Sequence, residues 1–285
     1  MTDEPALERP TILTVTGPDR PGLTALITSA VTAAGGNIIE LGQQADPYVG
    51  RYGCRIAIAG RLDSALLAAE LDDLVVIKSI EWTLHDQDWR PRVVIACSSA
   101  LHCVTDLIGR MQTGDLACDL VGIVSDKTAV QDLAGRLSIP FVHVPVGEDR
   151  ASQEAAFADA VASFTPDLVV LARYMRILPA WITEAHAGRM INIHHSTLPA
   201  FPGANPRRRA HERGVKLIGA TAHYVTEDLD EGPIIDQDVI RIGNHSLAEV
   251  IQQGEDIERL VLARAIRLHL EHRVMIFGRR TCVFD

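Results

Sequence analysis

From Arg92 onward the chain repeats one unit, a short unbroken apolar run followed by a stretch with helical spacing. VVIAC, LVGIVS, FVHVPV, DLVVLAR and MINIHH alternate with VTDLIGRM, TAVQDLAGRL and QEAAFADAVASF. Continuous apolar strands separated by helices belong to a sheet covered on both faces. This half is therefore expected to be α/β, a doubly wound and mostly parallel sheet. Ligands in such sheets sit beyond the carboxyl ends of the strands. That places Cys97-Ser98-Ser99, Ser125-Asp126, Arg173 to Leu178 and His194-His195-Ser196 on one rim. LIGATAHYVTEDLDEGPIIDQDVIRI then reads as a strand pair around an acidic loop, and the stretch from Ser246 to Arg273 as a long helix.

The residues before this repeat follow a different pattern. TILTVTG alternates and stops at the turn cluster GPDRPG. LTALITSAVTAAGG has helical spacing and ends on Gly35-Gly36 as a C-cap. NIIELGQQAD and GRYGCRIAIAG read as strands, SALLAAELDDL as a helix and VVIKSIEWTL as a closing strand. The order βαββαβ is the ferredoxin-like split arrangement. HDQDWRPR is the expected linker, giving domains of residues 1–86 and 87–285.

Formal charge is −10, which argues against nucleic acid as a partner because duplex binding relies on basic faces. The five cysteines are scattered with no CxxC pair, so neither a disulfide framework nor a zinc knuckle is expected. MTDEPALERP lacks a signal-peptide core, and arginines and prolines interrupt every apolar run. A cytoplasmic protein with no membrane segment is expected.

The chemistry concentrates late in the chain. Asn192 and His194 alternate with Ile191 and Ile193, so strand geometry sends both polar side chains to one face. His195 points oppositely or turns into the loop. Two satisfied histidines at a strand end would explain this stretch alone. AHYVTEDLDEGP, however, adds His223 and several carboxylates. His, Asn and Asp converging on one rim suit an acyl-group reaction: imidazole moves protons near neutral pH, Asn donates to an oxyanion, and Asp orients the imidazole or water. A zinc site on His194, His195, His223 and an Asp is the rival. Adjacent strand histidines diverge and no HxH or HExxH spacing is present, so no metal is expected. Pro206 suits a first helical position, and Arg207, Arg208 and Arg209 would then fan about 100° apart, with one facing an anion or all three solvated. The CSSALHC turn lacks glycine, which disfavours a phosphate cradle there.

INIHHSTLPAFPGA, AHERGVKLIGATAHYVTEDLDEGPIIDQDV and RVMIFGRRTCVF resemble the formyltetrahydrofolate deformylases over nearly the whole chain. The second half is similar to the wider folate-dependent formyltransferases, and TVTGPDRPGLTALIT followed by GGNI resembles an ACT regulatory domain. The resemblance implies an ACT-like domain followed by a formyltransferase-like domain. It implies hydrolysis of formyltetrahydrofolate to tetrahydrofolate and formate, which feeds purine and one-carbon metabolism, with folate as substrate and no cofactor. It assigns Asn192, His194 and Asp230 to catalysis. Met175, Arg176, Ile177, Leu178, His223, Val225 and Thr226 are assigned to the substrate pocket. Asp19, Arg20, Gly22, Gly36, Asn37 and Ile38 are assigned to an amino-acid effector, in a homo-oligomer. Arg207-Arg208-Arg209 stands where the family usually has Tyr and polar residues, VSDK where it has an SNH-like turn, and Thr197 where it has a bulky apolar residue. The rival activities are a formyltransferase to an amine acceptor and a non-catalytic folate or amino-acid sensor.

Overall fold

The computed structural model describes residues 10–86, 88–199, 206–243 and 245–284. By its internal contacts the chain divides into two units, Met1–Trp89 with Glu271–Asp285, and Arg90–Leu270. The sequence expectation had run the second domain to residue 285, whereas the last fifteen residues cluster with the first unit.

In the first unit β1 (Thr11–Pro18), α1 (Leu23–Ala33), β2 (Asn37–Asp46), β3 (Arg51–Ala59), α2 (Ser64–Lys78) and β4 (Glu81–His85) follow the expected βαββαβ order. The four strands pair antiparallel in the order β2-β3-β1-β4. Leu13 and Val15 of β1, with Ile56 and Ile58 of β3, face Leu23, Ile27 and Val31 of α1 and Leu67 and Leu71 of α2 in one core. One boundary differs from the sequence reading. VVIK, expected in the closing strand, continues α2. Asp63 caps that helix by accepting from the Leu66 amide at 3.0 Å, and Leu67, Leu71 and Leu74 form one buried stripe that ends just before the β-branched residues. The helix runs on through Val75, Val76 and Ile77, which stay exposed, and ends where Ser79 turns left-handed.

The second unit carries the parallel sheet. It contains β5 (Arg92–Cys97), α3 (His102–Thr113), β6 (Asp119–Ser125), α4 (Gln131–Arg136), β7 (Phe141–His143) and α5 (Arg150–Ser163). It continues with β8 (Leu168–Ala172), α6 (Ala180–Ala185), β9 (Met190–His194), α7 (Pro206–Glu212), β10 (Leu217–Tyr224), β11 (Ile234–Arg241) and α8 (Leu247–Leu270). The sheet order is β11-β10-β9-β8-β5-β6-β7. Strands β9 through β7 in that order are parallel, and β10 and β11 join antiparallel at one edge. Val93 to Cys97 are fully buried, as unbroken apolar strands with helices on both faces require. Pro206 opens α7 as expected. Arg208 and Arg209 are exposed, while FPGAN (residues 201–205) and the Arg207 side chain lie outside the described residues.

The C-terminal residues form a hairpin that helical and strand periodicity had not marked out, β12 (Val274–Phe277) with β13 (Arg280–Val283). Its Met275, Phe277, Cys282 and Phe284 make a small apolar cluster of their own. A Cβ at Gly53, in the middle of β3, would stand 2.7 Å from the Phe277 ring, so the bare backbone there is what lets the hairpin seat. Arg273 clasps Glu40 at 2.8 and 3.0 Å, and Arg55 reaches the same carboxylate at 3.0 Å. Among the described residues no helix is long and apolar enough to cross a membrane.

Candidate active site

β9 ends on His194, and its alternation leaves Met190, Ile191 and Ile193 buried while Asn192 and His194 meet their polar partners. β10 runs antiparallel alongside, setting Thr221 opposite His194 and His223 opposite Asn192. The register with β11 shifts between Ala222 and His223, a bulge that re-aims the histidine. From there the connection Val225–Pro233 returns Asp230 to the rim with its backbone in the left-handed region, φ 59°.

The four polar side chains converge. His194 Nδ1 lies 3.1 Å from Asp230 Oδ2, and His223 Nε2 lies 3.6 Å from Oδ1. Asn192 Nδ2 is 3.2 Å from His223 Nε2. His223 Nδ1 is 2.9 Å from the Tyr224 carbonyl, which only accepts, so that nitrogen carries a proton. Nε2 then accepts from the Asn192 amide in the neutral ring and, in the protonated ring, faces Asp230 as a donor. A carboxylate likewise only accepts, so His194 donates from Nδ1 to Asp230 and presents Nε2 to Ser196 Oγ at 3.0 Å. Burial alone would raise the Asp230 carboxyl, but the hydrogen bonds and charges of His194 and His223 outweigh it and hold the group far below the usual carboxylate range. Asp230 is thus ionised at any neutral pH.

A cavity of about 70 Å³ opens beside this group. Asn192, His223, Val225, Thr226 and Asp230 line one side, and Arg176, Ile177 and Leu178 the other. A second cavity of about 320 Å³ shares the segment Tyr174 to Leu178, adds Met175, and extends to Arg150, Gln153 and Glu154 on α5. The structure therefore brings all seven sequence-assigned pocket residues and two of the assigned trio to adjoining cavities. His194 reaches them through Asp230. The rim is braced: the Met175 amide donates to Ser98 Oγ at 3.1 Å, and the Tyr174 ring stacks on Phe157 at 5.0 Å.

Some roles in the site lay beyond the sequence reading, although Ser196 and Tyr174 fall in stretches it places on the rim. Ser196, two residues past His194, buttresses it. Behind it Thr221 Oγ1 donates to the Ser196 carbonyl at 2.8 Å while accepting from the Leu198 amide and Gln237 Nε2. The period-two pattern could have flagged Thr221, a buried hydroxyl in line with His223. Tyr174, Thr183 and Leu229 also line the smaller cavity. Of the two expectations for His195, the turn into the loop is the one met: β9 ends at His194, and the His195 ring stacks on it at 5.1 Å and 21° rather than diverging to the opposite face. Among the described residues, a group whose ligand atoms all lie within 4.8 Å of one another is His102, Cys103 and Glu258, on α3 and α8 rather than around His194.

The assigned effector residues occupy both ends of α1. Asp19, Arg20 and Gly22 form the β1–α1 turn, and Gly36, Asn37 and Ile38 open β2 beyond its other end. Eleven helical residues separate the two groups by about 16 Å.

Comparison with known proteins follows the same division. A formyl transferase family model matches residues 91–266 and an ACT domain model matches residues 9–45. The formyltetrahydrofolate deformylase of Bacillus subtilis (strain 168) is 43% identical over 279 residues, spanning 96% of this chain and 93% of that protein. The chain belongs to the formyltetrahydrofolate deformylase family. A crystal structure of a family member from Pseudomonas syringae pv. tomato superposes with a TM-score of 0.93 at 38% identity, covering 97% of this chain and 95% of that one. The glycinamide ribonucleotide transformylase 1 of Symbiobacterium toebii reaches a TM-score of 0.65 at 31% identity, over 69% of this chain and 95% of its own.

Proposed function

We propose that the chain hydrolyses the formyl group of formyltetrahydrofolate, releasing formate and tetrahydrofolate. The observation that carries this reading is the convergence of Asn192, His194 and an ionised Asp230 at the edge of the cavity between the 174–178 and 225–230 segments. In this reading the pterin lies in that cavity. Water adds to the formyl carbon as His194 takes its proton at Nε2, the nitrogen that otherwise meets Ser196, and the charge developing on the formyl oxygen is met by the Asn192 amide and the Nε2–H so formed. Asp230 orients the water and supports positive charge on His194 as it takes up the water's proton. His194 passes that proton to the folate nitrogen as the C–N bond breaks, leaving formate and tetrahydrofolate. An ionised Asp230 cannot supply the proton to the leaving group, so that role falls to His194.

The test is formate release from formyltetrahydrofolate with no amine present. Steady turnover is expected, whereas a strict requirement for an amine acceptor would make the enzyme a transferase. Folate binding without turnover would make it a sensor.

The ACT-like half is proposed to bind an amino acid at a site shared between copies. Asp19, Arg20 and Gly22 are a helix length away from Gly36, Asn37 and Ile38, so a pocket using both groups draws one of them from a second chain. The protein is accordingly proposed to be a homo-oligomer.

A further inference from the structure

Glu258 stands in the middle of α8 with no solvent exposure, among Ile257, Val261 and Leu262. A carboxylate is rarely buried this completely unless charge and hydrogen bonds compensate it. Here both are supplied by the rim. His102, the first residue of α3, brings Nε2 to 2.6 Å from Glu258 Oε2, and Arg173 brings Nε to 3.6 Å from the same oxygen. Arg173 Nε is itself buried and makes no hydrogen bond, so this ion pair is what the nitrogen has.

Arg173 also carries the backbone anomaly of this edge. It follows β8 directly with φ 62°, a left-handed conformation that a long side chain rarely adopts. Such conformations persist where the surroundings over-determine them. The turn it makes launches Tyr174 to Leu178, the wall shared by both cavities. Ser98 holds that wall through the Met175 amide, and Ser98 lies four residues before His102. Two anchors from the β5–α3 connection therefore grip the segment, one at Met175 directly and one at Arg173 through Glu258.

We infer that Glu258 and His102 are positioning residues for the substrate cavity, acting through Arg173 to hold the Tyr174–Leu178 wall in its binding-competent shape. The inference rests on the proposed hydrolase reading for its substrate, but not for its structural consequence. None of the three side chains reaches Asn192, His194 or Asp230 in the contacts above, so loosening them acts on binding before it acts on chemistry.

Glu258→Gln keeps the size and can still bond His102, while removing the charge that Arg173 requires. In the full-length protein, KM for formyltetrahydrofolate is expected to rise about tenfold with kcat changed less than about threefold, the range over which packed networks modulate a remote site. Backbone hydrogen exchange at Met175 to Leu178 is expected to speed up about tenfold while the β9 amides remain protected. If E258Q does not fold, His102→Gln carries the same two readouts. Unchanged KM together with unchanged exchange would overturn the inference, as would a fall in kcat alone. Should the wild-type protein release no formate, the exchange result still decides this inference while the hydrolase reading fails by itself. His102, Cys103 and Glu258 also group closely enough to ligate a metal. One zinc per purified chain, lost in H102Q, would replace the positioning role with a metal site.

Discussion

Asp230 holds a left-handed backbone conformation at the rim, where its carboxylate meets two histidines. Asn tolerates that conformation as well as Asp does, so Asp230→Asn removes charge and little else. Turnover measured as formate release should fall about 10²–10⁴-fold, the usual worth of a positioned acid–base group, with the circular dichroism spectrum unchanged. The pH dependence of stability follows from the sign of the shift. The folded carboxyl is depressed, because the His194 and His223 interactions outweigh the burial that opposes ionisation. Its contribution is therefore complete above the unfolded value near pH 4 and drains away as pH falls toward the lower folded value. Thermal unfolding should show wild type and D230N drawing closer together below about pH 4, and a constant gap down to pH 2 would contradict this account. Thr221 tests the layer behind. Thr221→Val keeps the shape but strands the Ser196 carbonyl and the Leu198 amide, which should cost about 1–3 kcal/mol in denaturant unfolding.

The β10–β11 connection shows how an element can be fixed by a single absent atom. A Cβ on Gly232 would fall 1.7 Å from the Tyr224 carbonyl oxygen, the same oxygen that receives the His223 ring. Gly232→Ala must push the connection off this carbonyl, disturbing His223 and Asp230 together. Formate release is expected to drop at least about tenfold in a protein that still folds, since misplacement by about 1 Å can cost 10²-fold. LDEGP carries that glycine openly, and the alternation of MINIH likewise showed which two polar groups share a face, so the reacting edge was largely legible in the sequence. Other features were not. VVIK reads as strand in isolation, yet the helix capped at Asp63 and seated by Leu67, Leu71 and Leu74 continues through it with Val75, Val76 and Ile77 exposed. The final hairpin joins the first unit through contacts more than 200 residues apart in sequence, Arg273 with Glu40 among them, which no local pattern encodes. Glu258 sits in a run of ordinary helical spacing where an acidic residue implies a solvated face, and only tertiary structure reveals it buried between His102 and Arg173.

The first unit leaves apolar surface that a monomer would ordinarily cover. Val76 and Ile77, at the end of α2, are 84% and 63% exposed, with Leu66 and Val75 partly exposed on the same helix. Scattered apolar residues are normal on a surface, but consecutive β-branched residues this exposed suit the contact between copies proposed above. The separation of the two effector groups along α1 asks for a second copy on independent grounds. The two arguments meet in one experiment. Sedimentation of the wild-type protein should give a multiple of the single-chain mass, and Val76→Glu with Ile77→Glu should lower that multiple, because two buried like charges at a symmetric contact repel their own images. If glycine or methionine modulates formate release, the dissociated variant should lose the response while its turnover without effector stays within about threefold of wild type, since the proposed coupling uses the shared site and the proposed chemistry uses Asn192, His194 and Asp230. A variant that sediments like wild type would remove α2 from the contact. One that dissociates yet keeps the full response would show that a single chain completes the effector site, against the placement of its halves at opposite ends of α1.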